Sequence, residues 1–256
     1  MTSVRQPHFP LPASAGRVVA ILAILGIWEA LNRAGVLDPQ FVAPPDEVAR
    51  QIVSLAGRPE IQSAYVTVAI EILVAFTIGS AVAIPLGVAL GLSAYLHRVF
   101  NPILVMLFGI PQITVLPLFI LFLGIGPNAK IAFGVSHTIF PVVFTCVAGC
   151  RAVDRQLLRA ALSMGATRWQ LFWKLVLPSI LPWIVTGMRL GMASNLLGIL
   201  LAELFVSQKG VGFYVRQFTA NFRSAEMLGL VTTLALFAIV VNEVLRQAEL
   251  RLSSWR

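Results

Sequence analysis

Six runs of apolar residues recur along the chain, near 18–34, 66–92, 99–123, 129–150, 181–206 and 227–245. Most reach the length of about 20 residues that a helix needs to cross a bilayer. In lipid no water satisfies the backbone, so a run of this kind has to fold as a helix. The expected fold class is therefore all-α and integral to a membrane, with six transmembrane helices. Composition agrees: 58% of the 256 residues are hydrophobic and 12% charged, against a charged fraction of about 25% in ordinary globular domains. The first run is the least clean, since its apolar core at 18–28 is short and Arg5 and Arg17 could flank a secretory signal. No A-x-A-like site follows it, and Trp28 suits a membrane interface, so a retained span is expected.

The formal charge of +8 does not point to nucleic acid, because the cations are scattered between apolar runs with no dense basic tract. Their distribution reads better as topology. One side of the six-span arrangement receives Arg5, Arg17, Arg98, Arg151, Arg155, Arg159, Arg168, Lys174, Arg246, Arg251 and Arg256, balanced only by Asp154 and Glu249. The other receives Arg33, Arg50, Arg58, Lys130, Lys209, Arg216 and Arg223, offset by five carboxylates. The positive-inside rule makes the first side cytoplasmic. Both termini then lie inside, with 1–17 a cytoplasmic segment, 18–256 the transmembrane domain and 154–178 a cytoplasmic loop. Cys146 and Cys150 share a face of the fourth span and are expected to be reduced and buried; no metal pattern goes with them.

That loop is basic and interrupts two greasy spans. Asp154 can cap a helix through Gln156, Leu157, Leu158, Arg159, Ala160, Ala161, Leu162 and Met164. Gly165 is the residue expected just past its end, where the backbone turns left-handed. Thr167 and Gln170 have capping-box spacing for a second helix, which Pro178 is expected to close. Leu157, Leu158, Ala161 and Leu162 give the first helix an apolar side. That side either lies in lipid headgroups or docks on a protein.

At this point the chain resembles the integral membrane permeases of binding-protein-dependent ABC importers. Their cytoplasmic signature reads E-A-A, three residues, Gly, then about nine residues, an aliphatic residue and L-P. Here stand Arg159-Ala160-Ala161, Gly165 and Val176-Leu177-Pro178. More narrowly, FVAPPDEV (41–48), GIPQITVLPLFILFLGIG (109–126), TGMRLGM (186–192) and AELFVSQKGVGFYV (202–215) are similar to the nitrate, sulfonate and taurine group. The family's glutamate is replaced by Arg159, so whatever that glutamate pairs with in relatives cannot be carried over. The resemblance implies a multi-pass protein of the bacterial inner membrane that pairs with a second permease chain, expected to be an identical copy. Two ABC ATPase subunits would dock on residues 157–165, and a periplasmic solute-binding protein would deliver a small, anionic solute. ATP and Mg would be used by the ATPase. This chain would bind no cofactor and have no catalytic residue, and none of its three lysines sits in a phosphate-cradling G-x-x-x-x-G-K-[ST] loop.

Ionisable groups inside the spans are costly and mark functional or paired positions. Glu71 and Glu203 are expected toward the periplasmic side, with Arg189 deeper. Arg189 either lends positive potential to an anion path or pairs with a carboxylate. Gln112 and Thr114, between Pro111 and Pro117, are candidates to line the path, because prolines free carbonyls that must face neighbours or water. His137 reads as a core residue. Ala75, Gly79, Ala83, Gly87 and Gly91, with Gly187 and Gly191, form small-residue stripes for close helix contact, within the chain or with a second copy. Residues 45–55 read as an amphipathic helix on the membrane face, and 207–223 as a periplasmic elbow. An ion-gradient-driven secondary transporter is the alternative; it would show an inverted repeat, and none is evident. A membrane enzyme would need convergent catalytic groups, whereas His8, His97 and His137 are scattered.

Overall fold

The computed structural model describes residues 13–253; Arg5, His8, Arg256 and most of the expected 1–17 segment lie outside them. The described chain is built from helices without strands. In order they are α1 Ala13–Arg33, α2 Pro45–Ala56, α3 Pro59–Leu92, α4 Ala94–Gly109, α5 Leu116–Leu123, α6 Pro127–Ala152, α7 Arg155–Ser163, α8 Arg168–Leu171, α9 Leu177–Val206, α10 Val211–Ala220 and α11 Ser224–Ser253. Five stretches are long and apolar enough to cross a membrane, and α4 with the 112–123 segment makes a sixth only if that bent pair counts as one span.

The third apolar run is thus not the single helix expected. Its two halves meet at 88°. Ile110 stands before Pro111 and takes an extended conformation (ψ 126°), as residues before proline do. A single 3₁₀ turn, Gln112–Val115, then restarts the helix. A second departure is Pro178, which does not end a helix: the segment from Arg168 to Phe205 is continuous. A π-turn at Phe172–Val176 precedes the proline, with Leu177 N–H reaching back to Phe172 O. That shift of hydrogen-bond register absorbs the missing donor. α1 also begins earlier than the apolar core at residue 18, at Ala13.

The core is a trio in which α6 lies between α3 and α9, and small residues set its spacing. A Cβ on Gly79 would fall 2.6 Å from Thr138 Cβ, one on Gly87 2.6 Å from Cys146 Cβ, and one on Gly91 2.5 Å from Cys150 Cβ. From the α9 side Gly187 meets Thr145 and Gly191 meets Val142. The small-residue stripes are therefore spent on contacts within the chain. Both cysteines are free and buried, and buried His137 sets Nδ1 3.0 Å from Phe133 O. Asn195 donates to Ile72 O at 2.8 Å across α3 and α9. The amphipathic α2 turns Val48 and Leu55 into the protein, where Val48 packs with Ala225 of α11, so α2 is a packed element as well as a surface one. By contrast Val18, Val19, Ile21, Leu22 and Ile24 of α1 are all exposed, as a lipid-facing span requires.

Candidate functional site

At one end of the trio the loop between α6 and α9 is held by its own short-range hydrogen bonds. Asp154 Oδ1 accepts from Gln156 N–H at 2.7 Å and starts α7. Gly165 lies at φ 82°; its N–H reaches Leu162 O at 3.0 Å while Ala166 N–H reaches Ala161 O at 3.1 Å. That pair of bonds is a Schellman turn, which needs the left-handed residue that glycine supplies most cheaply. Thr167 and Gln170 then form a reciprocal capping box, with Thr167 N–H to Gln170 Oε1 at 2.9 Å and Gln170 N–H to Thr167 Oγ1 at 3.3 Å. Every exposed helix end in the loop is satisfied locally, so its shape does not depend on a partner.

Between α7 and the start of the 168–206 helix lies a groove of about 610 Å³, lined by Leu157, Ala160, Ala161, Met164 and Gly165 on one wall and Gln170, Leu171 and Lys174 on the other. Met164 is 84% exposed. Three of the residues expected on this surface do not line the groove. Leu158 turns inward against the core cluster that contains Val176 and Cys150, because a nine-residue helix on a surface must bury one side. Arg159 and Leu162 are exposed but do not line the groove.

At the other end of the trio is a feature that the sequence did not reveal. Lys130, expected among the loop charges, is 3% exposed. Its Nζ lies 2.5 Å from Glu71 Oε1 and 3.2 Å from Glu203 Oε1, and it donates to Ser207 Oγ at 3.3 Å. Glu203, wholly buried, accepts Gly212 N–H on Oε2 at 2.9 Å. Gly210, at φ 112°, sits so close that a Cβ there would fall 1.8 Å from Glu203 Oε1. Arg216 of α10 donates to Leu204 O and Ser207 O, closing the last turn of α9. One lysine thus joins α3, α6 and α9 and, through Glu203, the elbow leading to α10. The signal was present in the sequence as one cation and two carboxylates at the margins of three apolar runs. Nothing local says that the three margins meet.

The remaining candidates are not brought together with this cluster. Arg189 lies fourteen residues before Glu203 on α9, about 21 Å along the axis; it is engaged by the surrounding chain and lines a separate cavity with Asn242 of α11. Gln112 and Thr114 are on the 3₁₀ turn of the bent pair, where Thr114 Oγ1 donates to Pro111 O at 2.7 Å.

Known proteins resemble the chain over most of its length. The model of the family described as "binding-protein-dependent transport system inner membrane component" matches residues 83–248. The taurine transport system permease protein TauC of Escherichia coli (strain K12) is 28% identical over 254 residues, 97% of this chain and 92% of its own. The putative aliphatic sulfonates transport permease protein SsuC of Bacillus subtilis (strain 168) is 26% identical over 91% of this chain and 84% of its own. The formylaminopyrimidine transport permease protein ThiX of Halalkalibacterium halodurans is 28% identical over 92% and 93%. Among solved structures, the MetNI methionine ABC transporter in an inward facing conformation has the same fold, with a TM-score of 0.67 at 19% identity, covering 76% of this chain and 96% of that one. With a family match across α6, the α7 loop, the glycine turn and α9, the chain belongs to the inner membrane components of binding-protein-dependent transport systems.

Proposed function

We propose that this permease works as one of a pair of identical chains in an ABC importer for a small acidic solute, with two ATPase subunits below and a solute-binding protein above. Both termini lie in the cytoplasm on this reading, and the 153–167 loop faces the ATPase. The observation that carries it is the groove between α7 and the 168–206 helix, which is apolar, exposed and shaped by its own hydrogen bonds. A preformed surface of this kind loses little conformational entropy when a partner binds. The ATPase uses ATP and Mg; this chain transmits the closure of the ATPase pair.

Transmission follows from stiffness. The Schellman turn at Gly165 and the capping box at Thr167 together form the short link from α7 to the helix that runs from Arg168 to Phe205. A rotation of α7 therefore reaches Glu203 at the far end, where Lys130 links it to α3 and α6. The elbow at 207–212 would receive the binding protein. The similarity to permeases named for taurine, aliphatic sulfonates and formylaminopyrimidine supports a small polar solute and leaves the choice of solute to the binding protein. Contact with lipid is made by the exposed apolar faces of the spans.

The deciding measurement is copurification of the chain with its ATPase, followed by ATP hydrolysis in proteoliposomes with and without loaded binding protein. Stimulated hydrolysis supports the reading. Uptake that needs no ATPase and stops when an ion gradient is dissipated would replace it with a secondary transporter.

A further inference from the structure

The groove at the loop end of the trio carries a charge of one sign. Lys174 stands on one wall with Gln170, and every other lining residue is apolar or glycine. Lys174 is exposed, and among the described residues its ammonium has no hydrogen bond or ion pair. Gln170 Oε1 already accepts the Thr167 N–H, which leaves its amide N–H donors unused among the described residues. Around the groove the sign is the same. Between residues 154 and 176 stand Arg155, Arg159, Arg168 and Lys174 against Asp154 alone, and Asp154 spends Oδ1 on the cap of α7. The three arginines are exposed. A partner that covers the apolar lining also strips water from the Lys174 ammonium, which is costly unless the partner brings a negative charge to that spot.

We propose that the groove receives an apolar side chain of the ATPase subunit with an Asp or Glu beside it, and that this carboxylate pairs with Lys174. This rests on the reading of the chain as an importer permease and adds the chemistry of the contact: the permease supplies the pocket and its ammonium, and the ATPase supplies an acidic, apolar knob. The pair also selects its partner by sign, because an ATPase with a basic matching surface is repelled by the loop and leaves Lys174 covered and unpaired.

The test uses the full chain in phosphatidylcholine nanodiscs and the ATPase subunit that copurifies with it. A water-soluble carbodiimide condenses an ammonium and a carboxylate in contact to an amide, with loss of water. Of the chain's three lysines, Lys130 and Lys209 lie at the other end of the trio, so peptide mapping reads the Lys174 contact directly. The map should show Lys174 joined to an Asp or Glu of the ATPase that has an apolar neighbour. Lys174→Arg should lose the amide and keep the affinity. Lys174→Glu should weaken binding at least about tenfold, and wild-type binding should weaken as salt is raised from about 0.05 to 0.5 M. Ala160→Trp, which fills the groove from the α7 wall, should weaken binding with the charge intact. A complex that forms without the Lys174 amide, binding unchanged in Lys174→Glu, or an amide to a second copy of this chain overturns the proposal and leaves the importer reading standing. Failure of the chain to associate with any ATPase removes both.

Discussion

Glu71 and Lys130 meet because α3 and α6 run parallel at a constant offset of 59 residues: Gly79 faces Thr138, Gly87 faces Cys146 and Gly91 faces Cys150, and the same register continued along the pair brings residue 71 to residue 130. The glycines let the helices approach closely, and closeness puts the Lys130 Nζ 2.5 Å from the carboxylate. α9 lies antiparallel on the other side of α6, from Gly187 against Thr145 to Glu203 at Lys130.

Removing Lys130 should therefore be far worse than removing one of its carboxylates. Lys130→Met leaves two buried carboxylates facing each other, and breaking a buried pair in this way costs about 3 to 5 kcal/mol. Glu71→Gln leaves Lys130 and Glu203 as a neutral pair. The folded fraction of detergent-extracted protein on heating should fall in the order wild type or Glu71→Gln, then Lys130→Met; equal stability of all three would refute a structural role for the lysine.

The small-residue register can be tested with an internal control. A Cβ on Gly87 would meet Cys146 Cβ at 2.6 Å and Val143 O at 2.9 Å, whereas one on Gly26 of α1 would meet nothing within 4 Å. Gly87→Ala should overpack the α3–α6 contact, at a cost of about 1 to 3 kcal/mol. Gly26→Ala removes a poor helix former from an open face and should be neutral or mildly stabilising. Thermal unfolding of the two variants in the same detergent decides the point.

Gly165 combines φ 82° with open space around a built Cβ. Any cost of substitution is therefore conformational, about 1 to 2 kcal/mol for a left-handed residue with a side chain, and largest for a β-branched one. Gly165→Val should leave insertion and the spans intact while misdirecting α7, so that solute-stimulated ATP hydrolysis by the complex drops at least several-fold. Gly165→Asn, which tolerates this conformation, should retain more activity than Val. Arg159→Glu, outside the groove, should keep most of the stimulation. Full coupling in Gly165→Val would reduce the loop to a membrane-surface helix.

Orientation is open to labelling in intact cells, on a background with both native cysteines replaced. Cysteines at Gly57, where a Cβ has only an ordinary contact with Ser54 O at 3.6 Å, and at the exposed Gln208 should react with an impermeant thiol reagent. One at Met164, which lines the loop groove and is 84% exposed, should be protected until the cells are opened. Reaction at 164 in sealed cells would invert the topology.

Local signals in the sequence were enough for much of this protein. The apolar runs set the long helices, since a segment in lipid has to satisfy its backbone within itself. The loop geometry was equally legible, because Asp154, Gly165, Thr167 and Gln170 act through bonds spanning no more than five residues. The bend at Pro111 and the continuity through Pro178 were less so: both are prolines in apolar surroundings, and the neighbouring turn decides whether the helix breaks or shifts register.

What the chain's one-dimensional pattern left open was which faces meet. The spacing of Gly79, Gly87 and Gly91 announces close packing but not its partner, and Lys130 looks like any loop cation at the start of a span. Only the assembled trio turns it into the buried link between Glu71 and Glu203, because their attraction depends on distance in space, and residues 59 and 73 positions from Lys130 along the chain come within 3.2 Å of it once the helices have chosen their neighbours.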